Sequence, residues 1–223
     1  MAGPSSNGRL TLVIGNKNYS SWSLRPWLAI KQAGIAFDEI RIPLYGEGSK
    51  ERLLSYSPSG KVPVLIDGNL TVWDSLAICE YLAETHSSLW PQDAMARAVA
   101  RAVSAEMHSG FVNLRNHMSM NIRKNYTGLG MGEGVAEDIA RVAAAWEECR
   151  RRFGAAGPFL FGRFSIADAM YAPVVTRFIT YGVTLPAAVR PYVEAVLALP
   201  PLQEWISAAN AENESIPGAD LYG

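Results

Sequence analysis

The sequence predicts two unlike parts: an α+β unit built on a mixed four-stranded sheet, then an all-α unit. Three observations carry that prediction. Strand-like and helix-like segments alternate over residues 9–84, with apolar residues first at period two and then at i, i+3, i+4. The dipeptide Asp67-Gly68, a strong hairpin signal, lies inside that stretch. From residue 93 onward the pattern is almost wholly helical.

Taken in order, LTLVI (10–14) is the first strand, with Leu10, Leu12 and Ile14 on one face. Leu24, Trp27 and Leu28 then mark a helix that ends near Gly34. Proline is harmless only in a first helical turn, so Pro26 predicts an N-cap near Ser23 and a start near Leu24. Ile40, Ile42 and Leu44 alternate with Glu39, Arg41 and Pro43 as a second strand. Strand, helix and strand of this length form a right-handed βαβ unit with parallel strands. KERLLSY (50–56) has helix potential. Val62, Val64, Leu65 and Ile66 form a third strand, and Leu70 to Trp73 return antiparallel. DSLAICEYLAE (74–84) reads as a helix capped by Asp74 or Ser75.

Residues 85–92 read as a linker, between a unit at 9–84 and a helical unit at 93–223; residues 1–8 read as a flexible arm. The helical unit opens with a long helix-rich stretch to about 125 and continues with an amphipathic helix at 135–153. Ser165 and Asp168 make an S-x-x-D capping signature, and Pro173 predicts a kink in the helix that follows. Shorter helices are expected near 189–199 and 202–210.

Composition narrows the function. A formal net charge of −1 offers no basic footprint for nucleic acid. No apolar run approaches the length of a membrane span, so no membrane partner is expected. Cys79 and Cys149 are the two cysteines, too few for a disulfide framework, which points to a reducing, cytoplasmic setting. His86, His108 and His117 lack the i, i+4 spacing of metal ligands, so no metal is expected.

Three short motifs could carry chemistry. In NYSSWSLRPW (18–27), Ser20 and Ser21 fall just upstream of a helix. There an anion would meet amides, a favourable dipole and a hydroxyl donor; the alternative is a plain cap. Val62-Pro63 opens an inner strand, where proline cannot donate to the ladder. A cis bond would free the Val62 backbone to pair with an extended ligand; a trans proline on an edge strand is the other reading. Asp74-Ser75 starts a helix, and together they could hold the ammonium and carboxylate of an α-amino acid, or simply cap it.

In this order, the motifs resemble the glutathione transferase superfamily over nearly the whole chain. KVPVLIDGNLTVWDSLAICEYL (61–82) resembles its glutathione-site block, SIAD (165–168) its helical-domain capping motif, and SSWSLRPWLAIKQAGI (20–35) its serine-type zeta, tau and theta members. The resemblance implies a thioredoxin-like N-terminal domain, an all-helical C-terminal domain and a homodimer. It implies detoxifying conjugation of glutathione, as co-substrate, to a small hydrophobic electrophile. Glutathione-dependent peroxide reduction, isomerisation, or a non-catalytic interaction role on the same fold are the alternatives.

It also implies roles. Ser20, or Ser21 if the loop is shifted by one, would donate a hydrogen bond to the glutathione sulfur. Val62, before Pro63, would pair with the cysteinyl backbone, and Asp74 with Ser75 would hold the γ-glutamyl group. Lys61 would lie near the glycyl carboxylate. Tyr19 and Trp22 would line the electrophile pocket on one side, and Met107, Phe111, Arg115 and Met118, on one helical face, on the other; inter-domain core is the alternative for the methionines and Phe111. The chain departs from zeta members in carrying Trp22 where they have cysteine, and Asp74 stands where the family usually has Glu or Gln.

Overall fold

A computed structural model describes residues 9–222; the expected arm at 1–8 lies outside the described residues. Four strands, β1 (Leu10–Ile14), β2 (Phe37–Arg41), β3 (Val64–Asp67) and β4 (Leu70–Trp73), form one sheet in the order β2-β1-β3-β4. β1 runs parallel to β2 and antiparallel to β3, and β4 returns antiparallel on β3. Helices α1 (Ser21–Gln32), α2 (Ser49–Leu54) and α3 (Ser75–Thr85) complete this part. It is the expected mixed, thioredoxin-like arrangement. The hairpin forms as expected, with Asp67 paired to Leu70 and Gly68 at a φ of 57°.

Helices make up the rest: α4 (Ala94–Ser109), α5 (Val112–His117), α6 (Val135–Phe153), α7 (Ile166–Thr180), α8 (Arg190–Leu197) and α9 (Pro200–Asn210). α7 is the centre; every residue except Ile179 is buried, and it packs against both α1 and α4. Its start is the expected capping box, with the Asp168 carboxylate accepting from the Ser165 amide at 2.8 Å and hydroxyl at 3.0 Å. Asp168 also accepts from the Leu160 amide at 3.1 Å, so it fastens the preceding loop. Trp146 of α6 meets Tyr171 and Tyr192 edge-on, with ring centroids 5.6 and 5.0 Å away, an arrangement that aromatic quadrupoles favour.

Three local expectations are corrected. α1 begins one turn earlier than Pro26 predicts, because Ser20 caps it and Ser23 Oγ accepts from the Gly15 amide at 3.1 Å. Those serine bonds draw the helix start back to the end of β1, and Pro26 sits inside the helix. The second strand is centred earlier, ending at Arg41, just before Ile42 and Pro43. The stretch after residue 93 is two helices rather than one, broken at Gly110-Phe111, where Phe111 has a φ of 59°. Residues 107, 111, 115 and 118 therefore do not share a single helical face.

Candidate active site

The termini of β3 and α1 and the start of α3 meet α4 around a cavity of about 590 Å³. Trp22, Ser59, Lys61, Val62, Pro63, Trp73, Asp74, Ser75 and His108 line it. The Val62-Pro63 bond is cis, the first of the two expected readings. The fold thus brings Trp22, Lys61, Val62, Pro63, Asp74 and Ser75, all expected from the sequence, to one place. Ser59 and Trp73 were not expected there, and His108, for which pocket lining was one of two readings, joins them. Ser59 lay inside a turn signal, Trp73 ends a strand, and His108 sits one turn beyond Ser104 on an otherwise ordinary helix.

Asp74 and Ser75 dominate the wall. Asp74 is the N-cap of α3, and its Oδ1 accepts from the amides of Leu76 at 2.9 Å and Ala77 at 3.1 Å. Its φ of 78° is uncommon for a residue other than glycine and costs on the order of 1–3 kcal/mol. The cap geometry compensates, and the second oxygen, Oδ2, is left facing His108 Nε2 at 3.0 Å. Ser75 is buried, and its hydroxyl has no hydrogen-bond partner among the described residues. An unpaired buried hydroxyl at a helix N-terminus, beside a carboxylate, suits a ligand that offers both an acceptor and a cation.

His108 couples the two halves. Burial lowers its pKa, Asp74 opposes that, and Arg25 and Arg115 reinforce it; the net shift is downward. The imidazole is therefore neutral at pH 7, with Nε2–H donating to Asp74. Its ring also meets the Trp22 indole edge-on at 5.3 Å.

The two serines immediately precede Trp22, are both buried, and are not among the cavity-lining residues. Ser20 Oγ donates to Ser23 Oγ at 2.7 Å and accepts weakly from the Ser23 amide at 3.4 Å. Ser21 Oγ accepts from Arg177 Nη2 at 3.2 Å, which leaves its own proton available. Tyr19 turns away, its hydroxyl donating to the Asp220 carboxylate at 3.0 Å and accepting from Arg123. Met107, Phe111 and Met118 are buried in the main core, the alternative reading for them. Arg115 remains close, its guanidinium 4.8 Å from the Trp22 ring centre. Its Nε donates to the Gly110 carbonyl at 2.9 Å and another nitrogen reaches the Met107 carbonyl, so it also caps the end of α4.

The loop that carries the serines is tied to the end of the chain. Glu212 accepts from the amides of Lys17 at 2.7 Å and Asn18 at 3.0 Å and pairs with Arg41 at 3.3 Å. Trp205 Nε1 donates to the Lys17 carbonyl at 2.8 Å. Cys79, 0% exposed, is pushed up to about 12 by burial and is no nucleophile.

Comparison with known proteins agrees with this geometry. Residues 19–85 match the N-terminal domain of glutathione S-transferase, and residues 132–208 match its C-terminal domain. A probable maleylacetoacetate isomerase of Caenorhabditis elegans is 34% identical over 76% of this chain and 79% of its own. Glutathione S-transferase 1 of Dianthus caryophyllus is 30% identical over 72% of this chain and 74% of its own. Among solved structures, a glutathione transferase homologue from Burkholderia gl BGR1 with bound glutathione superposes with a TM-score of 0.69 at 25% identity, covering 92% of this chain and 100% of that one. With cavity, cis proline and capped α3 in place, the chain belongs to the glutathione S-transferase family.

Proposed function

We propose that this protein binds glutathione in the 590 Å³ cavity and joins its sulfur to small hydrophobic electrophiles. The observation that carries the reading is the Asp74-Ser75 pair: a half-exposed carboxylate beside a buried hydroxyl without a partner among the described residues, at the start of α3. These fit the ammonium and carboxylate of the γ-glutamyl group. Val62 offers its backbone to the cysteinyl unit, and Lys61 its ammonium to the glycyl carboxylate. The electrophile enters beside Trp22 and Arg115. A cytoplasmic homodimer is part of the same reading.

The chemistry needs a thiolate. A free thiol with a pKa of about 8.5 is only a few per cent ionised at neutral pH, and lowering it by about two units takes roughly 2.7 kcal/mol. One hydrogen bond to the charged sulfur supplies about 1.5–3 kcal/mol and the α1 N-terminus about 0.3–1 more. Ser20, releasing its proton from Ser23 to the sulfur, meets that requirement without ionising. Ser21 is the second candidate, since Arg177 occupies its oxygen and not its proton. The sulfur then forms a bond to carbon while the leaving group departs with the old bonding pair.

A second reading, glutathione-dependent isomerisation, is favoured by the relatives named maleylacetoacetate isomerase. There the same thiolate adds to a double bond, the adduct rotates, and the thiolate is expelled. Steady-state assays separate the two, because conjugation consumes glutathione and isomerisation does not. With 1-chloro-2,4-dinitrobenzene, Ser20→Ala is expected to lower kcat about 10- to 150-fold at pH 7 with glutathione binding nearly intact. If Ser21→Ala does this and Ser20→Ala does not, Ser21 is the donor. No saturable consumption of glutathione with any aromatic halide would overturn conjugation.

A further inference from the structure

Behind Trp22 lies a charge without a partner. Arg25 is 0% exposed, and none of Nε, Nη1 or Nη2 has a hydrogen-bond acceptor among the described residues. Its guanidinium lies 4.3 Å from the Trp22 ring centre, and that of Arg115 lies 4.8 Å from the same ring. A third guanidinium, Arg177, reaches Ser21 in the preceding turn of chain. Arg115 and Arg177 both act on Arg25 as like charges. Among the described residues the carboxylate that acts on Arg25 is Asp74, whose oxygens are engaged by the Leu76 and Ala77 amides and by His108.

Arg115 and Arg177 spend donors on backbone carbonyls: Arg115 on Gly110, Arg177 on Met118 and Pro173. Arg25 has no such outlet. Contact with the indole face attracts its charge but gives its N–H groups nothing to donate to. A buried, unpaired guanidinium is costly, and its planar fork matches a carboxylate. Trp22 is the element between this charge and the cavity, since it contacts Arg25 on one hand and lines the cavity on the other, 37% exposed.

We infer that Arg25, with Arg115 beside it, receives the carboxylate of an anionic second substrate, an apolar electrophile carrying one carboxylate, when the Trp22 indole swings aside. This rests on the proposed conjugation and names the substrate class for it. Glutathione's own carboxylates are directed to Ser75 and Lys61 in that reading, so the Arg25 site remains for the partner molecule. The reaction is balanced as a substitution: in 4-chloro-3-nitrobenzoate the sulfur bonds to the chlorine-bearing carbon, chloride leaves with the C–Cl pair, and the thiol proton passes to solvent.

The test is calorimetric. The protein is saturated with S-methylglutathione, which cannot react, and titrated with 4-chloro-3-nitrobenzoate or its neutral amide. The wild type is expected to bind the benzoate at least about tenfold more tightly. Arg25→Met, which removes an unpaired buried charge and melts no lower than wild type, is expected to bind both equally. Arg25→Lys, which keeps the charge but loses the fork, is expected to cut the preference at least about threefold and serves if the Met variant does not fold. Equal binding by the wild type, or a preference untouched in both variants, overturns the inference. So does a preference abolished when chloride replaces gluconate at equal ionic strength, since the site then belongs to an inorganic anion. Turnover with glutathione is read separately. A preference without turnover of either compound overturns conjugation and leaves the carboxylate site standing.

Discussion

Replacing Asp74 by Asn separates its two duties. One oxygen caps α3 through Leu76 and Ala77, and the other faces the cavity and His108. Asn caps a helix about as well as Asp and tolerates positive φ, so the fold and melting temperature should hold. What is lost is the negative charge opposite a ligand ammonium. A hydrogen bond to a charged group contributes about 1.5–3 kcal/mol. The Asp74 side chain is 42% exposed, and solvent screening brings the figure to about 1–2 kcal/mol. That is a roughly 5- to 30-fold weaker dissociation constant for glutathione. Isothermal titration with glutathione, and with a derivative lacking the α-amino group, measures it. The derivative should bind wild type and variant alike. Unchanged affinity for glutathione in a folded Asp74→Asn protein refutes the assignment of Asp74 to the ammonium.

Asp168 is held at about 6 because burial outweighs the three hydrogen bonds it accepts. Its folded pKa lies above the unfolded value, so the native state binds more protons, and its contribution falls as pH rises from about 4 through 6. The stability difference between wild type and Asp168→Asn should therefore shrink by about 2 kcal/mol between pH 4.5 and 7.5; urea titrations that show a flat difference contradict this. Glu212→Ala leaves the Lys17 and Asn18 amides without acceptors, which should cost about 2–4 kcal/mol and lower kcat more than it raises KM; Glu212→Gln should recover part of both. Trp146→Ala removes the aromatic hub of the helical core and should cost about 3–5 kcal/mol, read from the urea midpoint.

The sheet was legible because short apolar runs of strand length stand between turn signals, and the Asp67-Gly68 turn allows few alternatives; only the bounds of β2 were shifted. The α3 cap was legible because Asp-Ser acts through neighbouring backbone; at Val62-Pro63 the sequence left cis and trans open, since the choice depends on how the strand is docked. The start of α1 was misplaced because the rule for Pro26 weighs one lost hydrogen bond. It could not weigh Ser23 Oγ reaching back to Gly15, a contact that exists only once β1 and α1 are docked. The break at Gly110-Phe111 was hidden because apolar spacing continues across it. His108 and Arg25 owe their meaning to neighbours far along the chain. No local pattern reveals that one faces Asp74 or that the other has no acceptor.

The bond from Glu212 to the Lys17 amide joins residues 195 positions apart. That separation has a consequence in time. At about 5–20 residues per second, a ribosome needs roughly 10–40 s to make the intervening chain. Throughout that interval the loop before Ser20 and Ser21 lacks its anchor, although every strand and α1–α3 are complete once Thr85 has been added. The sheet can form early, but the anchored loop cannot. Nascent chains lacking Glu212 would have the sheet without the finished serine loop, a natural delay between folding and thiol chemistry.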